Sequence, residues 1–327
     1  MIVDNELWEN LYAKILEGDI LNVLSYVFEY ITKDDIFLNG SLKRIFIELI
    51  LLAVLAGIFT AFMDSFQSTE ISKMGYLMIH VLLFSTLITI FLEMLQITKE
   101  VVEAILMVMN AAIPIYYMAV VSSGNHLTGY AYYRISILAI YGVEQLILHI
   151  LLPFVSCYMI LTFGNALWLE KKLSFITDFM KKAISFSLKT MVGVISGISF
   201  LQSMVSPVMD SVKNETVQKT ISVIPGIGNA AEGMTELALG SLLLIKNSVG
   251  VCIFLILIIT ALVPIIKLFL MSVLLKGCGA LMALITEKNF SEPVIQVAEG
   301  IGLLLKIVLT VLLLFIVSIA IIMFTTN

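Results

Sequence analysis

Residues 247–266 read NSVGVCIFLILIITALVPII, and apolar sequence resumes after Lys267 as far as Leu275. Twenty residues without a formal charge make a helix about 30 Å long, which matches the hydrocarbon core of a bilayer. Inside lipid only a helix or a closed barrel pairs its own backbone groups, and a continuous run without period-two alternation is a helix. Four other stretches meet the same requirement: 45–63, 74–92, 190–209 and 307–325. Two more are apolar but interrupted. Residues 104–133 carry no charged residue yet contain Asn110, Pro114 and Ser122-Ser123-Gly124, and residues 145–169 contain Pro153. Each is open to a kinked helix or a hairpin. The expected fold is all-α, a polytopic transmembrane bundle of about seven spanning helices.

Composition agrees. The chain is 60% hydrophobic and 13% charged with a mean hydropathy of +1.06, whereas soluble domains carry about 25% charged residues and under 50% apolar ones. Cys157, Cys252 and Cys278 are odd in number and far apart, which offers neither a disulfide framework nor a paired metal site. A net charge of -5 without a basic run beyond paired lysines argues against nucleic acid as a partner.

Residues 1–40 differ from the rest. Leu7, Trp8, Leu11, Tyr12, Ile15 and Leu16, then Leu21, Leu24, Val27, Phe28 and Ile31, recur at helical spacing and predict two amphipathic extramembrane helices. Eight acidic residues against two lysines place this segment in water or on the bilayer surface. Asp4, Glu6 and Glu9 stand where a cleavable signal peptide would need a basic start and an apolar run. Residues 41–327 form the expected transmembrane domain. Lys171, Lys172, Lys181, Lys182 and Lys189 assign 168–189 to the cytoplasm by the excess of lysine in short inner loops. The acidic N-terminal segment and 210–245 then fall outside, and one way to reconcile the crossings makes 101–121 re-entrant.

Lys189-Thr-Met-Val-Gly193-Val194 is echoed by Lys246-Asn-Ser-Val-Gly250-Val251, with Pro207 and Pro264 at the same offset. Duplicated helical units around 189–207 and 246–264 are one reading, because transporters and channels are often built from repeats. Coincidence in apolar sequence is the other. Gly193 and Gly197 form GxxxG, which permits close helix approach within the chain or between copies; Gly250 is the matching small residue of the echo. Residues 208–246 combine a polar run with Pro225, Gly226 and Gly228 and suit either a hairpin between spanning helices or an ordinary loop.

Ionisable residues at bilayer depth usually face a bundle interior, a partner or a wet cavity. Glu144, His149 and Lys267 are the principal candidates. A spacing of five sets Glu144 and His149 about 140° apart on an α-helix, so no shared site is expected, and Lys267 can snorkel along its own stem. No catalytic constellation appears. His80, His126 and His149 lack the partners a zinc site needs, and neither a GxxxxGK[ST] phosphate loop nor a GxSxG nucleophile is present. No cofactor or metal is expected, and the chain does not read as an enzyme.

Gln202-Ser203, Ser206-Pro207 with Asp210, Ile224-Pro225-Gly226-Ile-Gly228, and Leu242-Leu-Leu-Ile-Lys246-Asn247 with Val249-Gly250 resemble the stage III sporulation protein AE family, most closely over about 189–270. The resemblance implies a multi-pass protein of endospore-forming bacteria, in the mother-cell-derived membrane around the forespore. It would act as a core or scaffold subunit of a secretion-type channel between the two cells. Implied partners are other stage III sporulation channel proteins, including a separate ATPase and ring-forming proteins. The absence of a phosphate loop here agrees with that division of labour. Family members typically begin with a signal-like apolar segment, from which this chain departs, and the resemblance carries over no catalytic residue. Gln202, Ser206, Pro207, Asp210, Pro225, Gly226, Gly228, Lys246 and Asn247 become the candidate partner or channel segment. Membrane lipid is a partner in any case, and a homo-oligomer is open. A stand-alone permease, moving a small solute past Glu144 or Lys267, is the competing reading.

Overall fold

The structure, a computed structural model, describes residues 40–63, 69–167, 173–221, 228–285 and 288–325. Seven α-helices account for nearly all of them: α1 (Gly40–Met63), α2 (Thr69–Ser122), α3 (His126–Val143), α4 (Leu152–Leu167), α5 (Ser174–Ile221), α6 (Gly228–Ile285) and α7 (Lys288–Thr325). A π-helical segment, Glu144–Leu151, joins α3 to α4. Among the described residues there is no strand. The two amphipathic helices expected in 1–39 lie outside the described residues.

The helices are longer than hydropathy windows imply. Among the described residues five stretches are long and apolar enough to cross a membrane: Leu77–Ser122, His126–Asn165, Ser174–Leu201, Leu244–Leu284 and Phe290–Phe324. The described residues give five where the sequence suggested about seven, because α2 joins the stretches 74–92 and 104–121, and α3, the π segment and α4 form another continuous run. Charged residues interrupt apolarity without interrupting a helix. Between the two apolar halves of α2, the Gln96 amide donates to Glu100 Oε1 (2.8 Å) and the Thr98 hydroxyl to the Met94 carbonyl (2.9 Å), bonds across one helical turn that belong to the helix. A helix of 54 residues is about 80 Å long, more than twice the hydrocarbon thickness.

Pro114 lies inside α2 and does not end it; in place of the re-entrant turn considered for 101–121 the helix continues to Ser122. What ends α2 is Gly124. At φ 89° it occupies the left-handed region, where glycine closes a helix without steric strain, and its N–H donates to the Val121 carbonyl (3.1 Å). Pro153 does not break its segment either. A proline ring in a helix clashes with the carbonyl four residues earlier, here His149, and the π-helical turn immediately upstream widens the backbone at that place. Residues 174–189, expected in a cytoplasmic loop, are the first turns of α5. The expected hairpin region 208–246 resolves into the end of α5 and the start of α6; residues 222–227 lie outside the described set.

The chain divides into two compact units. Unit 1 takes α1, α2 as far as Val101, residues 149–186 and 262–308; unit 2 takes residues 102–148, 187–261 and the chain from Leu309. The core of unit 1 includes Leu49, Leu87, Met159, Ile184, Leu275, Phe290 and Ile301, all buried. Unit 2 is built on Met109, Tyr116, Ala139, Leu257, Val311 and Phe315, buried to the same degree. Apolar burial does not by itself drive helices together in lipid, so close packing at small residues and specific polar contacts carry more of the stability.

Candidate functional site

In unit 1 two glycines make close helix contacts. A Cβ built on Gly300 of α7 would stand 3.3 Å from Met159 Cγ of α4 and closer still to its sulfur, and one on Gly279 of α6 would meet Ile295 Cγ1 at 2.6 Å. The helices approach closely because nothing projects at these positions. Beside Gly300, Glu299 accepts a charge-assisted hydrogen bond from Lys181 Nζ of α5 at 2.7 Å, both side chains a little over one-third exposed. Ser272 of α6 donates to the Ala298 carbonyl of α7 (2.9 Å). Two helices, α5 and α6, therefore converge polar groups on one turn of α7, residues 298–300. On another side, buried His80 stacks against Phe290 with ring centroids 4.1 Å apart. Glu48 of α1 accepts from the Thr86 hydroxyl of α2 at 3.3 Å.

In unit 2 the corresponding close approach is at Gly250 of α6. Its added Cβ would stand 2.7 Å from Met323 Sδ and 3.3 Å from Tyr116 Cε2, and Tyr116 meets Tyr132 edge to face at 5.2 Å. One turn before Gly250, Lys246 is fully buried. A cation enclosed in an apolar bundle is expensive and is retained where it has a structural or functional task. At the α2–α3 turn, Tyr117 and Tyr133 are in ring contact, and Arg134 Nε and Nη2 both donate to the Tyr130 hydroxyl (2.9 and 2.6 Å). Tyrosines with an arginine folded back toward a helix end mark a membrane–water interface. Ten residues farther along the same run stands Glu144.

A family model for stage III sporulation protein AE matches residues 5–326. The chain belongs to that family. Stage III sporulation protein AE of Bacillus subtilis (strain 168) is similar to it, 22% identical over 261 residues that cover 80% of this chain and 63% of the relative. The chain thus spans under two thirds of that relative's length. No solved structure matches.

Of the segment that carried the resemblance to stage III sporulation protein AE, Gln202, Ser206, Pro207 and Asp210 lie in α5, Gly228 opens α6, and Lys246 and Asn247 follow eighteen and nineteen residues later in the same helix. Pro225 and Gly226 lie outside the described residues. Lys246 is interior. Gly193 and Gly197 have no atom within 4 Å of an added Cβ, so the close approach their spacing permits does not occur with the described part of this chain. Gly250 does make such an approach. Lys267 is exposed on α6.

Glu144, Gln145 and His149 are exposed as well, and here the expectation changes. In a π-helix the backbone bonds run from residue i to i+5, so residues five apart stack along the axis as residues four apart do in an α-helix. Glu144 and His149 share a face after all. The reading from α-helical angles failed because it had no signal for the π turn, although Pro153 just downstream supplies one. Glu299 and Gly300 went unrecognised because the apolar run taken as the last span begins at residue 307, and Lys181, 118 residues away, was read as a loop cation.

Proposed function

We propose that this chain is a membrane-embedded core or scaffold subunit of a secretion-type channel that links mother cell and forespore during endospore formation, set in the mother-cell-derived membrane around the forespore. The observation that carries this reading is the family match across residues 5–326; the family is one of sporulation proteins, and the chain is a helical membrane protein. The scaffold role is supported by glycine-mediated close packing in each unit at Gly300, Gly279 and Gly250, which suits rigid helices better than a mobile carrier. Glu144 and Lys267, the groups a permease would use, are exposed, and a carrier needs such groups where the chain can enclose a solute. On this reading the chain performs no chemistry and holds no cofactor. Energy comes from a separate ATPase, and ring-forming proteins continue the conduit.

The test is affinity purification of the tagged chain from sporulating cells in mild detergent, with the accompanying proteins identified by mass spectrometry. Recovery of an ATPase and ring-forming proteins is expected. Recovery of the chain alone, from cells in which those proteins are abundant, would overturn the subunit reading in favour of a self-sufficient transporter.

A further inference from the structure

On α3, within unit 2, one exposed face changes character along its length. Tyr130, Tyr133 and Arg134 are exposed, and Ile137, Leu138 and Tyr141 continue the same face at helical spacing, Leu138 and Tyr141 being 57% and 63% exposed. Polar groups therefore lead from the α2–α3 turn and apolar ones follow. The guanidinium of Arg134 is held in place: Nε and Nη2 both donate to the Tyr130 hydroxyl (2.9 and 2.6 Å), and Cζ stands 5.2 Å from the centre of the Tyr130 ring. That occupies one edge of the guanidinium. The other edge keeps the paired N–H groups of Nη1 and Nη2, a fork that matches two oxygens of a phosphate, and the Tyr130 hydroxyl, which accepts from the arginine, still has its own hydrogen to donate. No carboxylate competes for these donors: residues 104–143 contain neither Asp nor Glu, and among the described residues no acidic side chain pairs with Arg134.

We propose that this face binds an anionic phospholipid, its phosphate held by Arg134 and the Tyr130 hydroxyl and its acyl chains laid along Ile137, Leu138 and Tyr141. The positive charge of Arg134, uncompensated among the described residues, favours a lipid of net negative charge over a zwitterionic one. The apolar half of the face selects a lipid over a soluble phosphate, because Ile137, Leu138 and Tyr141 can bury acyl chains but offer a free phosphate nothing. Tyr133 is in ring contact with Tyr117 of α2, which braces this part of α3, so the ligand meets a preformed surface and does not have to order one. The site lies wholly on α3 and needs no partner subunit, so it stands apart from the channel reading.

The probe is dioleoylphosphatidylglycerol, titrated into the delipidated full-length chain in a neutral detergent, with dioleoylphosphatidylcholine as the zwitterionic control. Lipid-bound forms are counted by native mass spectrometry. The first phosphatidylglycerol is expected to bind about fivefold more tightly than phosphatidylcholine. Arg134→Gln is expected to erase that preference, and Arg134→Lys, which keeps the charge but not the fork, to retain part of it. Tyr130→Phe releases the guanidinium and is expected to weaken phosphatidylglycerol about threefold, while Lys267→Gln, a change at an exposed cation on α6, leaves both affinities as they were. Should Arg134→Gln lose its monodisperse peak, the graded losses in Arg134→Lys and Tyr130→Phe decide. Equal affinity for the two lipids, or a preference that survives in all three variants of Arg134 and Tyr130, would overturn the proposal. A loss in Lys267→Gln as large as in Arg134→Gln would also overturn it, since it would assign the preference to overall charge. So would full competition by glycerol phosphate at the concentration of the lipid, which would make this a site for a soluble phosphate.

Discussion

Two hexapeptides of unit 2 share four residues in register, Lys189-Thr-Met-Val-Gly-Val and Lys246-Asn-Ser-Val-Gly-Val, and occupy opposite environments. Lys189 is exposed whereas Lys246 is fully buried. Gly193 faces open space, and Gly250 stands against Met323 and Tyr116. Helix geometry is the same in both, so the difference comes from what packs alongside: α2 and α7 close over α6 at Gly250, and nothing described closes over α5 at Gly193. A lysine followed four residues later by a glycine therefore specifies a helix face that permits close approach. Whether a neighbour uses it is decided by residues far away in the chain.

The comparison breaks most visibly at the glycines. Gly250→Leu forces a branched side chain into the space held by Met323 and Tyr116 and is expected to destabilise the chain by about 1–3 kcal/mol, seen as a drop in the midpoint of heat-induced loss of the monodisperse peak in detergent. Gly193→Leu at the open position leaves that midpoint unchanged. The two lysines come next. Lys246→Ala removes a fully buried side chain and is expected to cost about 2 kcal/mol, against less than about 0.5 kcal/mol for Lys189→Ala; equal effects in the same assay would show that the two environments are alike.

Smaller effects sharpen the contrast between packing and surface charge. Lys181→Met breaks the 2.7 Å pair with Glu299, but both groups are more than one-third exposed, so the loss is under about 1 kcal/mol and diminishes as salt is added. A loss as large as that of Gly250→Leu would mean that the ion pair, and not glycine packing, governs that part of unit 1. The smallest change is Gly193→Ala, expected to raise stability by up to about 0.5 kcal/mol through helix propensity. A drop in its melting midpoint would place a neighbour on that face that the isolated chain lacks.

Hydropathy alone gave the helical membrane class, because twenty apolar residues such as 247–266 admit little else. It misjudged the number of elements for a definite reason. Glu93, Lys99, Glu100 and Glu103 lower hydropathy without breaking a helix, so α2 was divided; Gly124, which does break one, was legible from Ser122-Ser123-Gly124. The site was less legible. Gly250 was recognisable from its echo of Gly193, but its contacts with Met323 and Tyr116 join residues far apart in sequence, as does Lys181 with Glu299. The shared face of Glu144 and His149 depends on a π turn that α-helical angles do not contain.

The measurement that tests the central claim most directly is native mass spectrometry of the tagged chain released from membranes of sporulating cells. A scaffold subunit predicts an assembly whose mass exceeds any small multiple of 36.2 kDa and which releases chains of other masses on activation. A particle of 36.2 kDa, or of whole-number multiples that release this chain alone, would contradict it.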